Sequence, residues 1–247
     1  MSWALVTGGA QRLGKAVAIE LARNGWGVVV HYRRSAPEST TSEIVNAGGA
    51  AVTVGADLND ARERDELVSR AIEAAGARLT ALVNCAAIFE HDTIETLSAE
   101  ALNEHMAINA LTPSLLAHKF AASLGEDGRG VIVNFLDFKL ASPYPDHFSY
   151  TLSKYALAGA TDLLARALAP RVRVNAVAPG YVLPAPGQAQ ADYERLHGDT
   201  PLEYGPSPED IAHAARFLLE NPAVTGQTIY VDAGRRFRSF ERDMGFM

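Results

Sequence analysis

The sequence contains a single cysteine, Cys85, among its 247 residues. One thiol cannot form an internal disulfide, and such sparse use of cysteine is typical of proteins in reducing compartments. No apolar run approaches the roughly 20 residues that a membrane-spanning helix needs. A strand is predicted almost at the N-terminus, which leaves no room for a signal peptide. We therefore expect a cytoplasmic protein that does not associate with membranes.

An excess of positive charge is absent too, since the formal net charge is −7 at pH 7. This balance argues against a surface that binds nucleic acids or anionic membranes. The seven histidines show no metal-ligand spacing such as His-Glu-x-x-His, and no Gly-x-Ser-x-Gly nucleophile elbow occurs. The sequence therefore predicts no metal site and no nucleic-acid partner.

What the chain does contain is a regular alternation of short apolar strands and longer helical stretches. Strands are predicted near residues 3–7, 27–32, 51–54, 81–84, 131–135, 171–178 and 225–232. Strands that alternate with helices form a parallel sheet with helices on both faces. The sequence thus predicts one α/β domain, residues 1–247, with a doubly wound parallel sheet of about seven strands.

A glycine-rich turn follows the first predicted strand and leads into a helix. It reads Thr7-Gly8-Gly9-Ala10-Gln11-Arg12-Leu13-Gly14. Backbone N–H groups and the helix dipole at such a corner face an anion. Because a strand precedes the turn and a helix follows it, we predict the phosphate-binding corner of a Rossmann-type dinucleotide fold.

The second predicted strand ends in two arginines, Arg33 and Arg34, followed by Ser35. NAD sites usually carry an acidic residue here, about 20 residues past the glycine turn, that bonds the ribose 2′-OH. No carboxylate lies between His31 and Ser35. Guanidinium groups suit a 2′-phosphate, so NADPH is the predicted cofactor, although a solvated arginine pair would also explain the pattern.

The most reactive combination of residues lies between Asp137 and Lys154. A helix is predicted over 148–169, and on it Tyr150 and Lys154 share one face because they are four residues apart. A cation beside a phenol lowers the phenol's pKa from its usual value of about 10, which makes a tyrosine usable as an acid or base. The plain alternative is a helix that carries an unrelated Tyr and Lys.

Together the glycine turn and this Tyr-x-x-x-Lys pair make the chain similar to the short-chain dehydrogenase/reductase family over nearly its whole length. The family's turn is Thr-Gly-x-x-x-Gly-x-Gly, from which the chain departs at Arg12. It also departs at 84–87, where Asn-Cys-Ala-Ala replaces Asn-Asn-Ala-Gly. The resemblance implies that Lys154 holds the nicotinamide ribose, that Asn109 positions a water, and that the enzyme is a homotetramer.

The resemblance also implies a set of cofactor contacts. At Asp57 an adenine contact and the N-terminal cap of the next helix are equally good interpretations. The cofactor contacts implied are Thr7, Gly8, Gln11, Arg12, Leu13, Gly14, Arg33, Arg34, Ser35, Asp57, Leu58, Asn84, Ala86, Tyr150, Lys154, Pro179 and Gly180.

Asp137 lies thirteen residues before Tyr150, where most of the family has a serine that donates to a substrate carbonyl. An ionised carboxylate only accepts hydrogen bonds, so it suits a substrate rich in N–H groups and opposes phenolate formation at Tyr150. The chain resembles the pteridine reductases and dihydromonapterin reductases at three places, which are this aspartate, Arg12 and the turn at 31–35. Alternatively, Asp137 points away and Ser142 or Ser149 is the partner of Tyr150.

This narrower resemblance implies hydride transfer to a dihydropterin C=N, with Tyr150 as the proton donor together with Asp137. The expected substrate contacts are Arg12, Phe89, Asp137, Tyr150 and Tyr181, beneath a lid over about 181–207. Phe89 would stack on the pterin, although a lone Phe is more often part of a core. The alternatives are an NADPH-dependent reductase of oxoacyl or sugar carbonyls and a dinucleotide-sensing or scaffold protein.

The arginine pair leads to a test of cofactor choice. NADPH should bind at least about 10-fold more tightly than NADH, a difference of about 1.4 kcal/mol. Arg34→Asp should weaken NADPH binding selectively, because it removes a guanidinium suited to the 2′-phosphate. Fluorescence titration with both cofactors measures this, and equal affinities in the parent chain would contradict the prediction.

Overall fold

The computed structural model describes residues 1–184 and 188–243, so 185–187 of the predicted lid and 244–247 of the C-terminal tail lie outside it. Seven strands form one sheet in the order β3-β2-β1-β4-β5-β6-β7, and every neighbouring pair is parallel. The strands are β1 (Trp3–Thr7), β2 (Gly27–Tyr32), β3 (Ala50–Gly55), β4 (Leu79–Asn84), β5 (Gly130–Phe135), β6 (Val172–Pro179) and β7 (Thr228–Val231). The predicted α/β fold is confirmed.

The helices cover both faces of this sheet. They are α1 (Arg12–Arg23), α2 (Glu38–Asn46), α3 (Ala61–Ala75), α4 (Ala99–Met106), α5 (Thr112–Ser123), α6 (Phe148–Leu168), α7 (Gln190–Gly198) and α8 (Pro208–Glu220). Successive strand residues point to opposite faces, so Val6 packs with α1 and α8 while Leu5 packs with α3 and α5. Each face therefore has its own buried core. Within the described ranges, no helix is long and apolar enough to cross a bilayer.

The order of the strands creates a crevice between β1 and β4. From β1 the chain first builds outward to β3, then returns to add β4 to β7 on the other side. Loops that leave the carboxyl ends of β1 and β4 therefore diverge, and ligands of such sheets bind in the resulting gap. This topology brings the glycine turn after β1 close to the segments after β4, β5 and β6.

Capping residues determine where the helices α8 and α3 begin. Ser207 and Asp210 form a capping box at the start of α8, with Pro208 in the first turn. At α3 the cap is Asp60, whose carboxylate accepts from the N–H groups of Arg62 and Glu63. Asp57 is therefore not the cap, which removes one of its two interpretations.

The helical region over 99–124 is interrupted by a π-helical turn, just before Thr112 and Pro113. Residues Ala107–Leu111 form this turn between α4 and α5, and Pro113 follows in the first turn of α5. A proline lacks the N–H that a continuous helix would need there. Single π turns often occur at functional sites, and this one carries Asn109.

Candidate active site

A cavity of about 440 Å³ opens at the carboxyl edge of the sheet, where the topology leaves its crevice. Most of the residues predicted to bind cofactor or substrate line it. They are Gly8, Gln11, Arg12, Leu13, Gly14, Arg33, Arg34, Ser35, Asp57, Leu58, Ala86, Phe89, Asp137, Tyr150, Lys154, Pro179, Gly180 and Tyr181. One cavity thus brings together segments from both halves of the chain.

The glycine turn has the conformation that a phosphate cradle requires. Gly8 has a φ of +67°, and a Cβ added at Gly14 would collide with the carbonyl oxygen of Gly8. Arg12 stands where the family has its middle glycine and still adopts the left-handed conformation, with a φ of +51°. The left-handed conformation costs a non-glycine residue about 1 kcal/mol, which other contacts of the fold must offset. The cradle fits a dinucleotide pyrophosphate.

His31 holds this cradle from behind. Its Nδ1 accepts a hydrogen bond from the N–H of Gly8 at 3.1 Å, so its Nε2 carries the proton and donates to the carbonyl of Ala56 at 3.0 Å. Burial lowers the pKa of His31 to about 4. The ring is therefore neutral at pH 7, as an acceptor for Gly8 must be.

The far end of the cavity carries the arginine pair. Arg33 and Arg34 are exposed at its rim, and the Arg33 guanidinium lies 3.9 Å from the Asp57 carboxylate. The Asp57 carboxylate also accepts from the N–H of Asn59 at 3.0 Å. Positive charge is thus available at the position where a ribose 2′-phosphate is expected.

At the other end, the Tyr150 hydroxyl donates a hydrogen bond of 2.7 Å to the Asp137 carboxylate. Burial, and then the neighbouring charge of Asp137, raise the pKa of Tyr150 well above its usual value. The expectation that Lys154 lowers this pKa is therefore not met. The expectation that Asp137 keeps the phenol protonated agrees with the geometry.

The alternative partners of Tyr150 are engaged elsewhere. The Ser142 hydroxyl donates to the carbonyl of Arg238 at 2.6 Å, and the Ser149 hydroxyl donates to the carboxylate of Asp92 at 2.5 Å. The alternative in which Asp137 points away is therefore wrong. Burial raises the pKa of Asp137 itself, against the opposing effect of the Lys139 N–H that it accepts at 2.9 Å.

The Lys154 ammonium bonds to the end of β5 and not to the phenol of Tyr150. It donates to the carbonyl of Phe135 at 2.6 Å and lies 5.5 Å from the centre of the Tyr150 ring. Burial lowers the pKa of Lys154 to about 8, so the charge is retained in most molecules at neutral pH. From this position the cation can stabilise negative charge that develops on Tyr150.

Three predicted site residues lie behind the cavity wall and not among the described residues that line it. The Thr7 hydroxyl accepts from the N–H groups of Cys85 and Ala86, at 3.0 and 3.1 Å. Asn84 donates to Asn134 across the ends of β4 and β5 at 2.9 Å. These contacts hold the segment after β4 against the glycine turn.

Asn109 is the third of these residues and is 1% exposed. Its amide exchanges hydrogen bonds with the backbone of Ile88, at 2.9 and 3.0 Å, and donates to the Ser153 hydroxyl at 3.0 Å. The π turn thus ties the loop after β4 to α6. A water at Asn109 stays a prediction.

Phe89 forms an aromatic platform and is not part of a core, since it is 43% exposed. Its ring stacks on His147 with centres 3.9 Å apart and meets the edge of Tyr150 at 4.6 Å. The loop that carries it is anchored by Asp92, which accepts from the N–H of Ser149 at 3.1 Å. Phe89 is therefore held beside the reacting tyrosine.

The structure also adds site residues that sequence reasoning missed. His31, Lys139, Tyr144 and Asp243 all line the cavity. Lys139 and Tyr144 lie within the segment that the Asp137–Lys154 pattern had marked, so their position was a usable signal. Asp243 carries no such signal, because its contacts are almost a hundred residues away in the sequence.

Fold and site together define a dinucleotide-dependent oxidoreductase. A family model described as enoyl-(acyl carrier protein) reductase matches residues 8–236. The chain belongs to this family, within the short-chain dehydrogenases/reductases. It is thus an oxidoreductase, which argues against a sensor or scaffold without turnover.

Similar solved structures hold the oxidised form of the predicted cofactor. FolM alternative dihydrofolate reductase 1 from Brucella suis, in complex with NADP, is 39% identical, with a TM-score of 0.91 and 96% of each chain covered. The angucycline C-6 ketoreductase LanV, with bound NADP, is 29% identical, with a TM-score of 0.87 and 96% of each chain covered. The prediction of NADPH over NADH agrees with both complexes.

One relative is named for a 3-oxoacyl substrate, unlike the dihydrofolate reductase above. The 3-oxoacyl-(acyl-carrier-protein) reductase of Synechocystis sp. is 34% identical over 243 residues, which cover 94% of this chain and 95% of the relative. The relatives therefore agree on the type of reaction and differ in substrate.

The neutral His31 leads to a prediction of pH dependence. Its pKa is about 4 in the folded chain and near 6.5 when unfolded, so between these values the unfolded chain binds more protons. Stability should fall by about 2 kcal/mol from pH 7 to pH 5 through this group. His31→Asn should flatten this part of the pH dependence of the urea midpoint.

His118→Asn, which removes an exposed histidine, is the matched control and should keep the parent's pH dependence. An unchanged pH dependence in His31→Asn would show that His31 does not make this contribution.

Proposed function

We propose that the protein is an NADPH-dependent reductase of a pterin-type C=N, converting a dihydropterin to a tetrahydropterin. The observation that carries the proposal is the hydrogen bond between Tyr150 and Asp137, at a position where most of the family has a serine. A carboxylate there accepts from substrate N–H groups, which a pterin ring offers and a simple ketone lacks. The likeness to a FolM alternative dihydrofolate reductase supports the same substrate class.

NADPH supplies the hydride when it is bound in this cavity. The turn from Gly8 to Gly14 would hold its pyrophosphate, Arg33 and Arg34 its 2′-phosphate, and Lys154 its nicotinamide ribose. The protonated Tyr150 donates its proton to the substrate nitrogen as the C=N bond is reduced. As a carboxylate Asp137 accepts from the substrate's N–H groups, and in its protonated form, which burial favours, it shares in proton delivery, while Lys154 stabilises the phenolate that remains.

Phe89 and Arg12 complete the proposed substrate site. The Phe89 ring, backed by His147, is a flat apolar surface on which a pterin can stack. Arg12 reaches the first part of the lid, where its guanidinium lies 3.4 Å from the carbonyl of Pro184. Tyr181 lines the same cavity at the start of the lid. In this position Arg12 would contact both cofactor phosphate and substrate.

A carbonyl reductase is the second candidate. It is favoured by the likeness to a 3-oxoacyl-(acyl-carrier-protein) reductase and to a ketoreductase. The two candidates differ in what Asp137 does, because an ionised carboxylate repels a carbonyl oxygen. NADPH oxidation by the pure protein against dihydropterins, quinones, oxoacyl thioesters and sugars separates them. Preference for a carbonyl substrate would overturn the pterin assignment.

Replacement of Asp137 is the sharper test. Asp137→Ser should lower the rate of dihydropterin reduction about 10²–10⁴-fold, the usual range for loss of a general acid or base. NADPH binding should stay nearly intact, because the implied cofactor contacts come from other segments. Steady-state rates and a cofactor titration measure both effects.

The same variant restores the hydroxyl that most of the family uses, so activity on simple ketones should rise. Tyr150→Phe is the companion variant and should abolish both reactions, since it removes the shared proton donor. Full dihydropterin turnover in Asp137→Ser would contradict the assigned role.

We further propose a homotetramer formed through α6 and the segment that carries Asn109; its cytoplasmic location stays a prediction. Leu152, Tyr155 and Leu163 follow one stripe of α6 and are 42, 43 and 67% exposed. Leu111 at the end of the π turn is 50% exposed. A partner helix would cover this apolar surface.

Light scattering of the parent chain should therefore give four times the mass of one chain. Leu163→Glu should reduce that mass, because a charge would be buried against the partner. Val45→Glu is the matched control, at an exposed apolar residue of α2, and should leave the mass unchanged. A monomer at micromolar concentration would contradict the proposal.

A further inference from the structure

The C-terminal segment from Arg235 to Asp243 packs on its own chain. The buried Arg235 guanidinium donates to the carbonyls of Leu196 and Asp199 at 2.6 and 3.2 Å, at the end of the lid helix α7. A cation suits the carbonyl end of a helix. Arg238 forms an ion pair with the Asp199 carboxylate. The segment is thus fastened to the lid.

The same segment is also fastened to the loop between Asp137 and α6. The carbonyl of Arg238 accepts from Ser142, and the Tyr144 hydroxyl donates to the Asp243 carboxylate at 2.7 Å. The N–H of Asp243 donates to the Asp146 carboxylate at 2.7 Å. The contact with Tyr144 fixes the side chain of Asp243, and the contact with Asp146 fixes its backbone. Asp243 is 8% exposed.

These contacts place Asp243 in the wall of the candidate active site, in the same cavity as Asp137, Tyr150 and Phe89. The wall therefore carries two carboxylates from distant parts of the chain. The charges of Asp137 and Asp243 both act on the buried Lys139, whose ammonium donates to the carbonyl of Asp146 at 2.5 Å. It also lies 3.8 Å from the centre of the Tyr144 ring.

The hydrogen-bonding character of this wall follows from the donors already in use. The Tyr144 hydroxyl already donates to Asp243 and the Lys139 ammonium to the carbonyl of Asp146, and an ionised carboxylate has no hydrogen to donate. Asp137 and Asp243 therefore present acceptors to a ligand. A ligand that matches this wall carries N–H donors along more than one part of its edge.

We propose that Asp243 is a specificity-determining residue of the substrate site, a second carboxylate that accepts hydrogen bonds from N–H groups of the substrate. The proposal rests on the proposed pterin reduction and extends it to the C-terminal segment. The substrate class is an amino-substituted nitrogen heterocycle whose N–H groups reach Asp137 and Asp243 together. Tyr144 is the positioning residue that orients the second carboxylate.

The test uses the full chain, saturating NADPH and 7,8-dihydrobiopterin as the probe. Asp243→Asn should raise KM about 10-fold or more, the size of a lost hydrogen bond to a charged group. Because that bond is present before and during the reaction, kcat should stay within about 3-fold. NADPH affinity and the melting temperature should be unchanged, which a merely structural role would not predict.

Glu241→Gln is the matched control, since it removes the same charge from an exposed position two residues earlier. Its KM should equal that of the parent. Tyr144→Phe should raise KM in the same direction as Asp243→Asn, because Asp243 loses its orienting partner. It also serves as the decisive variant if Asp243→Asn does not fold.

The outcomes separate the two proposals. A parent chain that does not reduce the dihydropterin overturns the proposed function and this inference together. A parent chain that reduces it, with an unchanged KM in a folded Asp243→Asn, overturns the role of Asp243 alone. An equal rise of KM in Glu241→Gln would do the same, because it would show an effect of net charge and not of the site.

Discussion

The hydrogen bond from Tyr150 to Asp137 is the contact on which the site depends. It lies where β5 ends and α6 begins, in a region where burial disfavours every charge. Burial raises the pKa of both groups and lowers that of Lys154, so the proton stays on the phenol until a substrate can take it. Lys154, held on the carbonyl of Phe135, is then available to stabilise the phenolate. The site is thus arranged for proton donation, as a reductase requires.

Buried side chains elsewhere in the fold position Tyr150 and Asp137 relative to the glycine turn. His31 supports the glycine turn through the N–H of Gly8, and Thr7 holds the segment after β4. Asn109 fastens that segment to α6, while Asp92 fixes the loop of Phe89 on the first turn of the same helix. Each of these side chains is buried and fully engaged in hydrogen bonds to backbone or neighbouring groups. A change at any of them would act on the chemistry through position rather than through contact.

The C-terminal segment contributes to the end of the cavity that contains Asp137 and Tyr150. It joins α7, which lies within the predicted lid, to the loop after Asp137 and brings one more carboxylate to the wall. The cavity has two exposed arginines at one end and two carboxylates near Tyr150 at the other, and the arginines suit a phosphorylated cofactor. The arginine pair thus provides local positive charge in a chain whose net charge is −7.

The sequence by itself determined the order of strands and helices, the glycine turn, the arginine pair and the Tyr150–Lys154 spacing. These are local patterns, set by periodicity and by residues within a few positions of one another. Only the tertiary structure decided that Asp60 caps α3, that Tyr150 is paired with Asp137 and not with Lys154, and that Asp243 enters the cavity. The Tyr144–Asp243 contact spans 99 positions and Gly8–His31 spans 23. Such pairs produce no periodic pattern in the sequence, because they form only when the sheet brings separate loops to one edge.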